Sequence, residues 1–103
     1  MIHRMYAKPH VEKDPACADE VPWSDRLTDY DERHLIVYIR LLDAVEARAS
    51  EEEICQVLFK VDLKAEPARA HHMFESHLKR ARWLTEVGYR DLLRDWEPKD
   101  FYH

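Results

Sequence analysis

Residues 50–88 read SEEEICQVLFKVDLKAEPARAHHMFESHLKRARWLTEVG. Ser50 and Glu53 have the spacing of a capping box, in which each side chain binds the other residue's backbone N–H, and they predict a helix over 51–60. Pro67 suits the first position of a longer helix over 67–87, because its missing N–H has no helical partner there. Gly88 predicts a left-handed stop. The segment therefore predicts two helices joined by a short connection over 61–66.

A third helix is predicted upstream, over 29–47, with Thr28 as its N-cap. Asp29, Asp31 and Glu32 follow the cap, where the positive end of the helix dipole favours acidic residues. A broad apolar face recurs at helical spacing; it comprises Tyr30, Val37, Tyr38, Leu41, Leu42 and Val45. Ile36 and Ile39 fall outside this face, so the helix offers apolar surface on a second side.

The rest of the chain completes a small all-α, four-helix domain over 23–96. A short fourth helix is predicted over 89–95, and residues 97–103 form a frayed tail. Residues 1–22 contain three prolines and no sustained period, so they are interpreted as a flexible, disordered N-terminal arm. The apolar segment Val21-Pro22-Trp23 is expected to dock on the core. Phe74 is expected to be buried where the helix over 67–87 crosses the one over 29–47.

Composition excludes several functional classes. A chain of 103 residues has room for one domain. Its single glycine excludes a P-loop and a dinucleotide-binding fingerprint, and it disfavours a sandwich or barrel with many tight turns. No apolar run reaches membrane-spanning length. The two cysteines, Cys17 and Cys55, are too few for a disulfide framework and indicate a reduced, cytoplasmic chain.

Charge is unevenly distributed along the chain. The net charge is −5, which argues against non-specific binding to duplex phosphate. Residues 28–53 hold eight acids and three bases, whereas residues 60–82 hold six bases and three acids. A small domain with this dipolar pattern typically meets a charged surface on another macromolecule; ordinary solvated helix faces are the alternative.

Catalytic, metal and cofactor sites are not predicted. His71, His72, Glu75 and His77 share one helix, but only His71 and Glu75 have a spacing that places two ligands on one face. His77 falls on the apolar face and is interpreted as a hydrogen-bonded core histidine. Cys55 lies among apolar residues with nothing to lower its pKa, so no nucleophile is indicated.

The two helices over 51–60 and 67–87 have the order of a helix-turn-helix. Their connection is longer than the usual three or four residues and lacks the turn glycine, which indicates a variant of that motif.

Two blocks of sequence resemble a small alphaproteobacterial family known as a domain of unknown function. The blocks are Ser24-Asp25-Arg26-Leu27-Thr28-x-Tyr30-Asp31 with His34-Leu35-x-x-Tyr38-x-Arg40-Leu41-Leu42-Asp43, and Ser76-His77-Leu78-x-Arg80-Ala81-Arg82-Trp83-Leu84-Thr85-Glu86-x-Gly88-Tyr89-Arg90-x-Leu92-Leu93. The resemblance covers residues 22–94. Members of that family occur on integrative and conjugative elements, including symbiosis islands, and include an excision activator and a short antiactivator of quorum sensing.

The resemblance implies an antiactivator that sequesters transcription activators and so represses conjugative transfer. Its implied partners are a LuxR-type, TraR-like activator and an FseA-like activator, with no cofactor and no specific DNA binding by the chain alone. The candidate partner-binding residues are Ile36, Ile39, Arg40, His72, Lys79, Arg80, Arg82 and Trp83.

Three functional hypotheses remain open from the sequence. The first is the antiactivator. The second is a DNA-binding regulator whose groove and phosphate contacts would be Arg69, His72, Lys79, Arg80 and Arg82. The third is a subunit that docks in an assembly through Ile36, Ile39 and Trp83. Trp83 itself is either an interface anchor or packs against Tyr89 and the fourth helix.

Overall fold

The structure is a computed structural model that describes residues 11–88, with side chains to Glu86. It contains four α-helices and no strand in this range: α1 (Asp29–Arg33), α2 (Leu35–Glu46), α3 (Glu51–Ile54) and α4 (Pro67–Trp83). α3 and α4 each continue into a π-helical turn, Cys55–Phe59 and Leu84–Gly88. The all-α class is confirmed. The helix predicted over 89–95 and the tail over 97–103 lie outside the described residues.

The single helix predicted over 29–47 is wrong, because the chain breaks at His34 into α1 and α2. His34 has φ −103° and ψ 17°, outside helical values, and is buried. Its ring Nδ1 lies 2.7 Å from the carbonyl oxygen of Tyr30, and Nε2 lies 2.8 Å from that of Ala16. Both ring nitrogens thus lie against hydrogen-bond acceptors. The two contacts hold the ring between α1 and the N-terminal segment and fix the bend.

Both predicted N-caps are present, but the complete capping box is at Thr28. The Thr28 side chain accepts from the Asp31 N–H, and the Asp31 carboxylate accepts from the Thr28 N–H. At α3 the Ser50 side chain accepts from the Glu53 N–H, and no return bond from the exposed Glu53 side chain occurs within the described residues. Each cap satisfies N–H groups that the helix leaves unpaired.

Left-handed backbone occurs at two positions in the described part of the chain, and neither is Gly88. Lys60 ends the α3 π-turn at φ 59°, and Arg48 follows α2 at φ 65°. Gly88 is instead the last residue of the π-turn after α4, so its predicted role as a left-handed stop is wrong.

The core lies between α2, α3 with its π-turn, and α4. Val37 and Leu41 of α2 meet Ala70, Met73 and Leu78 of α4, and all five are buried. Phe74, expected to be buried at this crossing, is only half-buried at the margin of the core. Met73, one residue earlier, takes the buried position. None of the described helices is long and apolar enough to cross a membrane.

The N-terminal segment over 11–22 has no regular secondary structure, and it contacts the helices. Three of its backbone N–H groups donate hydrogen bonds to the helices: Glu12 to the carbonyl oxygen of Arg33, Ala18 to the Tyr30 hydroxyl, and Val21 to the Ser76 hydroxyl. Val21 is buried, which confirms the predicted docking of that end. The mobility predicted for residues 1–22 stays a prediction, but the contacts of residues 12–20 were not predicted.

His77 is the buried, hydrogen-bonded core histidine that the sequence predicted. Its Nδ1 donates to the carbonyl oxygen of Met73 at 2.7 Å, and the Tyr30 hydroxyl lies 2.6 Å from Nε2. With Nδ1 protonated, Nε2 accepts from Tyr30, so the neutral ring satisfies both partners. Burial lowers the pKa of His77 from 6.5 to about 4.

We expect His77 to make the fold acid-sensitive. Because its pKa is lower in the folded chain, its contribution is complete above about pH 6.5 and is lost as the pH falls to about 4, by up to about 3 kcal/mol. Urea unfolding across this range should show the loss in the wild type. His77→Gln does not titrate, so it should lack that component. Parallel pH profiles for the two proteins would contradict the assignment.

Candidate nucleic-acid interface

α3 and α4 form one unit, joined across residues 60–66. His71 of α4 is hydrogen-bonded through Nδ1 to the Glu51 carboxylate of α3 at 2.7 Å, and this bond raises the pKa of His71. The buried Cys55 thiol lies 3.5 Å from the carbonyl oxygen of Ala70. These contacts hold α3 and its π-turn against α4, the longer of the two helices.

Arg80 is not a surface residue, and its prediction as a partner or groove contact is therefore wrong. Its side chain and that of Asp31 have 0% exposure. Arg80 Nη2 lies 2.6 Å from Asp31 Oδ2, and Nε lies 3.0 Å from Oδ1. The remaining guanidinium N–H groups donate to the carbonyl oxygens of Ser24 and Arg26, at 2.6 Å and 2.8 Å.

Two tryptophan rings contact the Arg80 guanidinium. Its central carbon lies 3.9 Å from the centre of the Trp83 ring and 4.7 Å from that of Trp23. The two rings meet edge to face, with centroids 5.8 Å apart. Trp83 is half-buried in this arrangement, and Tyr89, its predicted neighbour, lies outside the described residues. The observed contacts make Trp83 a packing residue around a buried charge.

The other basic candidates on α4 remain exposed. Arg69, His72 and Lys79 lie with Arg80 on the side of α4 that faces the N-terminal segment, whereas Arg82 lies further round the exposed surface of the helix, with His71 and Glu75. Lys79 Nζ lies 5.2 Å from the centre of the Trp23 ring. The exposed basic side chains therefore form a row along one flank of α4. Lys60, in the connection before the helix, extends this row beyond the first turn.

We call these four basic side chains, Lys60, Arg69, His72 and Lys79, the basic row. Lys60 was not among the predicted contact residues, and neither were the acidic side chains that face the row. The charge distribution could have indicated them, because residues 12–20 hold four acids and one base, opposite in sign to residues 60–82.

The α2 candidates lie apart from the basic row. Ile39 is 57% exposed and lines an apolar groove between α2 and the end of α4, together with Leu42 and Leu84. Ile36 is half-buried. Arg40 lines a different depression, against Val57 of the α3 π-turn. The structure therefore does not unite the predicted partner residues into one surface.

The described residues offer little to covalent or metal chemistry. Burial raises the pKa of both thiols, Cys17 and Cys55, to about 11, so neither is a nucleophilic thiolate at neutral pH. No group of three histidine, cysteine or acidic side chains within residues 11–88 is placed to hold a metal ion. Exposed cations are the chemistry that remains, and their natural ligand is an anion.

A family model described as "T6SS, Transcription factor, DNA binding domain" matches residues 5–94. The chain belongs to this family. It is a family of DNA-binding domains of transcription factors rather than of enzymes, which agrees with the helical architecture and with the second of the three hypotheses. A comparison with curated proteins finds no match.

Removing the Arg80 guanidinium should destabilise the fold severely. Arg80→Leu leaves the Asp31 carboxylate buried without a counter-charge, and we expect a loss of about 3–5 kcal/mol in the free energy of unfolding. Arg82→Leu is the matched control on the same helix; its side chain is exposed, so the expected change is within about 0.5 kcal/mol. Urea unfolding measures both. Equal small losses would place Arg80 at the surface.

Proposed function

We propose that this chain is a DNA-binding module of a transcription regulator, which contacts duplex DNA through α4. The observation that carries the proposal is the family match over residues 5–94. In helix-turn-helix proteins the second helix lies in the major groove, and flanking cations bind backbone phosphates. Here that helix is α4, a helix of 17 residues.

The distribution of exposed cations supports this use of α4. Arg69 lies in the first turn of α4, where a recognition helix meets the base edges, and Lys60 lies in the connection before it. Lys79 and Arg82 lie near its C-terminal end, within reach of phosphates that flank the groove. A net charge of −5 gives little long-range attraction, so affinity would depend on a few local contacts and on base readout.

The salt dependence of binding tests this surface. The log of the affinity for a labelled mixed-sequence duplex should fall with log salt, and Lys79→Gln/Arg82→Gln should reduce that slope by about 0.9 for each phosphate contact removed. Arg40→Gln/Arg48→Gln is the control with the same change in net charge, made at exposed positions away from α4. A reduction as large in the control would contradict contact through α4.

A second candidate is the antiactivator to which the sequence bears a resemblance, QseM. In this proposal the chain sequesters a TraR-like or FseA-like activator and so represses transfer of an integrative and conjugative element. The acidic net charge and the exposed Ile39 beside the α2–α4 groove favour protein contact. For either candidate we propose a cytoplasmic location, where transcription takes place.

One pair of substitutions separates the two candidates. Ile39→Ser should weaken capture of an activator, measured by pull-down from the native cell with mass spectrometry, and should leave duplex binding unchanged. Arg82→Gln should do the reverse. Association through the apolar groove should also resist salt, whereas duplex binding should fall steeply. If Ile39→Ser leaves capture intact, the antiactivator surface is not at this groove.

A further inference from the structure

Three acidic side chains of the N-terminal segment reach the basic row, and each contacts a different basic side chain. Asp14 lies 3.1 Å from Lys60 Nζ, and Asp19 lies 2.9 Å from Arg69 Nε. Glu20 lies 3.3 Å from His72 Nε2. The carboxylates follow α4 in order, so the segment runs along the helix beside the basic row.

We propose that Asp14, Asp19 and Glu20 act as intramolecular substitutes for DNA phosphates, competing with the duplex for the basic row. This inference rests on the proposed DNA-binding function and adds a means of regulating it. A carboxylate and a phosphate present the same acceptor oxygens to an ammonium or guanidinium group. Each cation that a carboxylate already contacts gains less from meeting a phosphate.

The three contacts are open to solvent. The side chains of Lys60, Arg69 and His72 are 60%, 45% and 56% exposed while in contact with their acids. A phosphate can therefore approach each cation without removal of the segment's backbone. Exposed pairs of this kind contribute little and are screened by salt, so a dense line of phosphates can replace them.

The backbone of the segment is held by different contacts. Val21 is buried, and the Ala16 carbonyl lies against the His34 ring. These contacts keep the three carboxylates close to the basic row at a high effective concentration. The competition is therefore between side chains, with the segment still docked on the helices. Arg69 also contacts Glu66 at 3.1 Å, so one cation of the row has a second acidic neighbour, at the N-cap of its own helix.

Neutralising the acids should strengthen DNA binding. We expect Asp14→Asn/Asp19→Asn/Glu20→Gln to bind a labelled mixed-sequence duplex about tenfold more tightly than a control triple, since three weak competing pairs are removed. The control is Asp43→Asn/Glu46→Gln/Glu53→Gln, which changes the net charge equally at exposed acids away from the segment. Adding Arg69→Gln to the first triple should remove part of the gain and reduce the salt slope by about 0.9.

The outcomes separate the two proposals. A gain confined to the segment triple, with an unchanged thermal midpoint, supports the competition. If the wild type binds and the two triples bind equally well, the competition is overturned and the DNA-binding function stands. If neither the wild type nor either triple binds the duplex at low salt, the DNA-binding function itself is overturned, and the competition with it.

Discussion

The ion pair between Arg80 and Asp31 is the constraint on which the other elements depend. Neither charge has contact with solvent, and removal of a charge from water is costly unless its partner and its remaining hydrogen-bond positions are all satisfied. Here they are: Asp31 also accepts from the Tyr38 hydroxyl and the Thr28 N–H. A single carboxylate thereby links α4 to α1, α2 and the loop before α1.

The pair also explains why residues 23–27, an irregular segment, have a fixed path. Arg80 donates to the carbonyl oxygens of Ser24 and Arg26, which have no helical partner of their own. A guanidinium group has its donors in one rigid plane, so the two carbonyls and the carboxylate must lie at its edge. The Trp23 and Trp83 rings also lie against this group. The loop is thus positioned by α4, and with it the direction from which the N-terminal segment approaches the basic row.

The sequence predicted the helix starts and core positions that depend on residues close together along the chain. Ser50 and Pro67 marked two helix starts, and the apolar spacing of α4 placed His77 in the core. Arg80 lies seven residues after Met73 and three after His77, so periodicity alone puts it on the same buried face. Its burial does not follow from the sequence alone, because a buried arginine needs a partner, and that partner lies 49 residues away. The break at His34 has the same origin, since the ring contacts Ala16, 18 residues earlier.

Net charge is a poor guide to this surface because the charges are sorted in space as well as in sequence. The chain as a whole is acidic, yet the exposed flank of α4 carries a row of cations, three of which contact acids supplied by a distant segment. A formal charge of −5 therefore does not count against contact with phosphate at that flank, where the relevant field is local and the acids are movable side chains. It implies instead that the acidic chain approaches DNA without long-range attraction. A domain of this kind would bind DNA only where close contacts at α4 outweigh the acids that already occupy its cations.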